Sequence, residues 1–353
     1  MILSDQSASA RGREDARPVG LGRWVEDRAL SSVGCGHRVG THASAARLLR
    51  AFLPAAAILI LIFNVASGDI PPREPSLVML RIGVRNGASC VIKEASLEDY
   101  VRVVVPSEVP SGFHPEALRA QAIVARTWAL RNRGRHAAEG YDFCDSTHCQ
   151  VYRGVGAVTP ETDAAVRATR GLVITYQGEL IDPVYHSTCG GHTADSEAVW
   201  RGGRPTPYLR GVSDRASEGC YCADSPHAWW KCTLTSSELA SVAGLPAPVT
   251  ISVDGRDANG RVTMLTLTGG GQQRSMTGCE FYRAAARAVG AGRVRSAWFD
   301  IRPGSGITLI GRGSGHGVGM CQWGANGRAH AGQTAEQILR HYYGSQVRIE
   351  RWP

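Results

Sequence analysis

One carboxylate, Glu108, ends an apolar run inside VRVVVPSEVPSGFHPEALRAQAIVARTWAL, residues 101–130. Pro106 and Pro110 bracket Ser107, Glu108 and Val109, which predicts a rigid, non-helical corner. A carboxyl presented from such a corner against apolar walls keeps its proton to higher pH and suits general-acid work. Taken alone, Glu108 reads first as a surface acid or as a cap for the helix that follows, and the rest of the sequence reverses that preference. A second constellation is GRGSGHGVGMCQWGANG, residues 311–327, where glycine recurs at almost every second position around His316, Gln322 and Trp323. Glycine at that density marks close approach of backbone to a ligand or to another chain segment. A tryptophan ring and a glutamine amide suit sugars, through stacking on C–H faces and hydrogen bonds to hydroxyls. No Lys-Ser/Thr follows and no acid is suitably placed, so the loop is neither a Walker nor a dinucleotide motif.

Two further groups carry chemistry. In YHSTCGGHTADSEAVW, residues 185–200, His186 and Ser187 are adjacent, and a histidine-served serine nucleophile is the chemistry to consider. The G-x-S-x-G elbow is absent, and neighbouring residues of a strand point to opposite faces, which argues against it. In the other, His136 precedes CDSTHC, so that Cys144, His148 and Cys149 fall within six positions. Two thiolates and two imidazoles make a closed tetrahedral shell of the structural zinc kind, and a Cys144–Cys149 disulfide is the rival. Zinc is favoured because it also employs His148. Cys220, Cys222 and Cys232, near His227, form a weaker group for metal or disulfides.

The elements that must position these groups are short and mixed. LVMLRIGVRN and ASCVIKE read as a hairpin turning at Asn86-Gly87. His114-Pro115-Glu116 opens a helix with Leu118, Ala122, Ala125 and Ala129 on one packed face. A helix over Asp163 to Thr169 stops at Gly171, and the strand LVITY turns at Gln177-Gly178 into a second strand reaching His186. Strand and helix patterns alternate over 232–300, with a turn at Asp257 to Gly260 and a helix after Thr277-Gly278. The fold class expected is α+β: helices and short antiparallel strands, with a larger catalytic domain over 77–353 carrying a smaller α+β subdomain at about 232–300.

Composition sets the outer bounds. The chain has 353 residues, 43% hydrophobic and 20% charged, enough for two or so folded units. Its net charge of +8 comes mainly from dispersed arginine, without the clustered basic tract of a nucleic-acid binder. Residues 1–50 read as a basic disordered region, and 69–76, DIPPREPS, as a Pro-rich linker. Between them AFLPAAAILILIFNVASG, residues 51–68, follows Arg47 and Arg50 and reads as a signal peptide or an uncleaved signal anchor. Export to the cell envelope follows, with the protein anchored in the inner membrane or free outside it. Ten cysteines are compatible with such a compartment, where disulfides form, although metal binding remains open for some of them.

These segments together resemble the SpoIID/LytB family, the proteins related to stage II sporulation protein D. The resemblance rests, in order, on VVVPSEVPSGFHPEALRAQAIVARTWAL, CDSTHCQVYRG, YHSTCGGHTADSEAVW, DANGRV and GRGSGHGVGMCQWGANGRAHAG, and covers about 80–350. It implies an exported protein acting on peptidoglycan. Sporulation members are lytic transglycosylases that cut glycan strands lacking stem peptides, and LytB-type members are described as enhancers of a wall amidase. The resemblance places the catalytic glutamate at Glu108 and a zinc site of some members at Cys144, His148 and Cys149; His136 as fourth ligand comes from the residues alone. This chain departs from the pattern at Cys189 and Cys321, where serine is common, and at Ser314, where an aromatic is common.

The expected reaction is cleavage between N-acetylmuramic acid and N-acetylglucosamine with formation of a 1,6-anhydro end. One carboxyl is enough for that, because the muramic C6 hydroxyl replaces the water or nucleophile that a second acid serves in ordinary glycosidases. Arg126, His186, Ser187, His316, Gln322 and Trp323 are the candidates for binding glycan. The alternative is a non-catalytic wall-binding protein that enhances an N-acetylmuramoyl-L-alanine amidase. A zinc hydrolase at 144–149 is a third reading, disfavoured because a closed shell leaves no position for water. Expected partners are peptidoglycan strands, a wall amidase and, through 51–68, a membrane; nucleic acid is not expected.

Overall fold

The computed structural model describes residues 78–352 apart from positions 88, 201 and 305. The basic region 1–50, the apolar run 51–68 and the linker 69–76 lie outside the described residues. Among the described residues no helix is long and apolar enough to cross a membrane.

Strands β1 (Met79–Asn86) and β2 (Ser89–Ser96) form the expected antiparallel hairpin, pairing Asn86 with Ser89 across the turn. Ser96 then caps α1 (Leu97–Glu108) by accepting from the Asp99 N–H. Glu108 is thus the last residue of a helix, which corrects the expected non-helical corner. Pro106 lies inside that helix, and the Ser107 hydroxyl donates back to the Val103 carbonyl at 2.7 Å. The run Val103, Val104 and Val105 is buried, and its burial outweighs the helix-breaking tendency of one proline near the C-terminus. The helix stops at extended Val109, just before Pro110.

His114 caps α2 (Pro115–Arg131), with Pro115 in the first turn and Leu118, Ala122, Ala125 and Ala129 buried as the spacing predicts. Next come β3 (Phe143–Cys144), parallel to β1, and α3 (Pro160–Ala168). Helix α3 begins three residues before the expected Asp163, because Thr159 forms a capping box with Thr162 and Pro160 suits the first turn. Strands β4 (Leu172–Tyr176) and β5 (Glu179–Leu180) turn at Gln177 and Gly178, both with positive φ. The strand expected to run on to His186 is broken at Asp182-Pro183, and β6 (Tyr185–His186) belongs to another sheet. Proline has no N–H to continue the ladder. A single helical turn, α4 (Ser196–Val199), follows.

The chain then builds β7 (Trp229–Leu234), α5 (Ser236–Ala243), β8 (Val249–Arg256), β9 (Val262–Gly269), β10 (Gln272–Met276), α6 (Gly278–Ala288), β11 (Phe299–Pro303) and β12 (Ile307–Arg312). Strands β8, β9 and β10 make one antiparallel sheet, and β11, β12 and β7 make another. They enclose a hydrophobic cluster of their own, with Leu234, Leu265, Leu267, Phe281, Phe299 and Leu309 at its centre. Finally β13 (Met320–Cys321), α7 (Gln322–His330), α8 (Ala335–Tyr343) and β14 (Arg348–Arg351) return to the main core. Strand β13 pairs in parallel with β6, and β14 closes against β4. The protein is a mixed α+β fold, as expected.

The glycine-rich loop is dense because other chain segments press on it. A Cβ at Gly319 would strike the Val184 carbonyl, and one at Gly324 would strike the Asp214 carboxylate and the Tyr342 hydroxyl. Those approaches seat the start of β13 against the residue before β6, and α7 against α8 and the Asp214 segment.

Candidate active site

Helix α1 delivers Glu108 into the main core, where only 5% of the residue is exposed. The Val151 N–H donates to its Oε1 at 2.7 Å, and the Tyr185 hydroxyl also donates to the carboxyl. Gln150 holds that tyrosine by donating from Nε2 to its hydroxyl at 2.9 Å. From α7, the Gln322 amide reaches the Glu108 carbonyl at 3.5 Å and the Gln121 side-chain oxygen at 3.4 Å. Burial pushes the Glu108 carboxyl up to about 8, against the lowering effect of the Val151 and Tyr185 hydrogen bonds and of the Arg153 charge. At neutral pH the group is therefore predominantly an acid with its proton on. Neither ionisable side chain acting on it, Tyr185 or Arg153, is a carboxylate.

Tyr185 joins this acid to the histidines. Its carbonyl accepts from His316 Nε2 at 2.9 Å, while the Val318 N–H donates to His316 Nδ1 at 3.1 Å. His186 Nδ1 faces the Val318 carbonyl at 3.1 Å, and its Nε2 is buried without a hydrogen-bond partner among the described residues. The two imidazoles meet edge to face with centroids 5.5 Å apart, and Trp200 lies 5.6 Å from His316. Burial draws His316 down to about 4 and His186 well below the usual histidine range. Both rings are neutral at pH 7, so they serve as walls and fixed hydrogen-bonding groups. Trp323 is half-buried and rests edge-on against Phe113, centroids 5.0 Å apart.

One expected binding residue, Arg126, is placed elsewhere. Arg126 is fully buried, with Nε and Nη2 on the two oxygens of Glu98 at 2.8 Å each and Nη1 on the Leu172 carbonyl. It is a core ion pair without access to a ligand, because its guanidinium is spent on tying α1 to α2 and β4. Ser187 stays beside the site, its carbonyl accepting from the Trp323 N–H at 3.1 Å, but its hydroxyl meets that of Thr188 at 3.2 Å, which in turn meets that of Ser225 at 2.6 Å, and not an imidazole. Sequence reasoning passed over Tyr185, Gln150 and Gln121. Gln121 carried a signal, as one amide on an otherwise apolar face of α2.

The four expected metal ligands do converge. Donor atoms of His136, Cys144, His148 and Cys149 lie within 4.8 Å of one another. His136 Nε2 and His148 Nδ1 are 3.1 Å apart, and each thiol sulfur is 3.8 Å from His148 Nδ1. Tetrahedral zinc requires about 3.3 Å between nitrogens and about 3.6 Å between nitrogen and sulfur, so the residues fit the ion. The hydrogen bond between the two thiols lowers Cys144 and raises Cys149, so the pair shares one proton.

The family model described as Stage II sporulation protein matches residues 85–176, which include Glu108 and the His136–Cys149 group. The chain is 32% identical over 288 residues to Stage II sporulation protein D of Bacillus subtilis (strain 168), covering 75% of this chain and 78% of that protein. Against Stage II sporulation protein D of Bacillus amyloliquefaciens it is 30% identical over 321 residues, with 81% and 89% covered. A further relative is the amidase enhancer of Bacillus subtilis (strain 168), 28% identical over 283 residues, or 68% of this chain and 39% of that protein. The chain belongs to the stage II sporulation protein D family.

Proposed function

We propose that the protein is an exported lytic transglycosylase that cuts peptidoglycan glycan strands between N-acetylmuramic acid and N-acetylglucosamine. The observation that carries this reading is Glu108: a buried carboxyl, protonated at neutral pH, held by a tyrosine and a backbone N–H and without a carboxylate partner among the described residues. As an acid, Glu108 gives its proton to the glycosidic oxygen and the bond to C1 breaks. As the resulting carboxylate, it takes the proton of the muramic C6 hydroxyl as that oxygen bonds to C1, which regenerates the acid and leaves a 1,6-anhydro end. Tyr185, through its bond to the carboxyl, stabilises the intermediate carboxylate. Gln322, Trp323, His186 and His316 supply the surface on which a glycan is oriented. A zinc ion held by His136, Cys144, His148 and Cys149 would be structural, with its shell closed by protein.

The test is digestion of peptide-free glycan with the purified protein and mass spectrometry of the products. Anhydromuramic ends from wild type, absent with Glu108→Gln, are expected; no such ends from wild type would refute the enzyme reading. A second reading is favoured by the amidase-enhancer relative: binding of wall glycan that raises the rate of an amidase. It predicts amidase stimulation that survives Glu108→Gln.

A further inference from the structure

Four buried donors lie together away from the His136–Cys149 group: the thiols of Cys189, Cys222 and Cys321 and the carboxylate of Asp214, all within 4.8 Å of one another. They come from separate segments, before α4, between α4 and β7, and at the end of β13. We propose that these four side chains form a second zinc site, independent of the reading given above for Glu108.

The distances suit an ion. Zinc bonds of about 2.3 Å to sulfur and about 2.1 Å to oxygen in a tetrahedron separate sulfurs by about 3.8 Å and sulfur from oxygen by about 3.6 Å. Cys189 and Cys222 sulfurs are 3.6 Å apart, and Cys189 Sγ is 3.2 Å from Asp214 Oδ2. The surroundings are those of thiolates. The N–H of Gly191 donates to Cys189 Sγ at 3.3 Å, and the N–H groups of Cys189 and Gly324 donate to Cys321 Sγ at 3.1 and 3.2 Å. Backbone donors aimed at cysteine sulfur stabilise the anion. Asp214 is oriented from its other oxygen: Arg328 Nε and the Tyr342 hydroxyl each donate to Oδ1 at 2.9 Å, leaving Oδ2 turned to the sulfurs. Three thiolates and a carboxylate exceed the charge of one dication by two, and two buried arginines border the group. Arg328 is one, and Arg261, bonded to the Cys189 carbonyl at 2.6 Å, is the other. Such a donor set selects zinc over hard cations.

The site has a mechanical consequence. Cys321 is the N-cap of α7, immediately before Gln322, whose amide touches the Glu108 carbonyl. An ion there clamps the start of α7 to the segments carrying Cys189 and Cys222, and so fixes one wall of the acid site. Half-buried Cys220, 3.4 Å from Cys222, stands outside the four and is the thiol through which oxidation would compete.

The full chain, purified without chelator, tests this by metal analysis. Cys189→Ser/Cys321→Ser and, separately, Cys222→Ser are expected to bind one zinc fewer per chain than wild type, while their circular dichroism matches wild type. Cys144→Ser/Cys149→Ser leaves the new site filled, and X-ray absorption of its remaining zinc should show three sulfur ligands and one lighter ligand. Unchanged zinc in both folded variants would overturn the proposal. So would a Cys189–Cys222 or Cys220–Cys222 disulfide in a non-reducing peptide map of wild type, a result that needs no variant to fold.

Discussion

Helix α1 carries a buried glutamate near each end, and the two have opposite partners. Glu98 faces the guanidinium of Arg126 through both oxygens, with a further hydrogen bond from the Gly171 N–H. Glu108 receives a backbone N–H and a tyrosine hydroxyl and feels the Arg153 charge, yet burial raises it to about 8. One carboxylate is locked into the scaffold by a cation; the other keeps a proton it can give away. A buried acid becomes available for chemistry when desolvation outweighs the donors and cations around it.

The two glutamates should differ most when Glu108 is replaced. Glu108→Gln should lower glycan cleavage by roughly 10²–10⁴-fold, as expected for loss of a general acid, with the fold retained by circular dichroism. At the other end, Glu98→Gln leaves the Arg126 charge without its counter-ion and should cost about 3–5 kcal/mol in denaturant unfolding. Glu98→Leu/Arg126→Met should recover much of that loss, and cleavage per folded molecule should match wild type in both variants.

Proton linkage separates the two acids next. The Glu108 carboxyl titrates higher in the folded chain, about 8, than its ordinary 4.5, so folding takes up a proton between those values. Its contribution to stability is full below about 4.5 and is lost as pH rises through about 8. Wild type should therefore lose on the order of a few kcal/mol relative to Glu108→Gln between pH 5 and pH 9, read from paired unfolding curves. Cleavage should fall over the upper part of the same range, as the acid loses its proton. The smallest effect is expected at Trp323, where Trp323→Phe trims the ring beside Phe113 and should raise KM by no more than about 10-fold with kcat little changed.

Local signals made much of the fold readable. The turn at Asn86-Gly87, the Pro115 start of α2 and the capping residue Thr277 each act within a few positions, and each stands where the sequence places it. Pro106 misled, since its tendency to end a helix was overcome by tertiary burial of three valines that a local reading cannot weigh. The site was half legible. His136, Cys144, His148 and Cys149 are close in sequence and converge because one short loop carries three of them. Arg126 looked like a ligand for glycan because arginine on a helix gives no sign of a glutamate 28 residues earlier.

The residues able to do chemistry stand out along the chain: one acid ahead of a long helix, a close set of nitrogen and sulfur donors, and a glycine-rich segment that admits close backbone approach. How each is used depends on packing between distant segments. That packing buried Glu108 beside Tyr185 and spent the Arg126 guanidinium on Glu98. It also drew Cys189, Cys222, Cys321 and Asp214 from distant segments to one point, while Cys232, near Cys222 in sequence, went to the other core. The forces involved differ in range. Capping and turn preferences act over a few residues and are written locally, whereas desolvation and ion pairing depend on whatever the fold brings alongside.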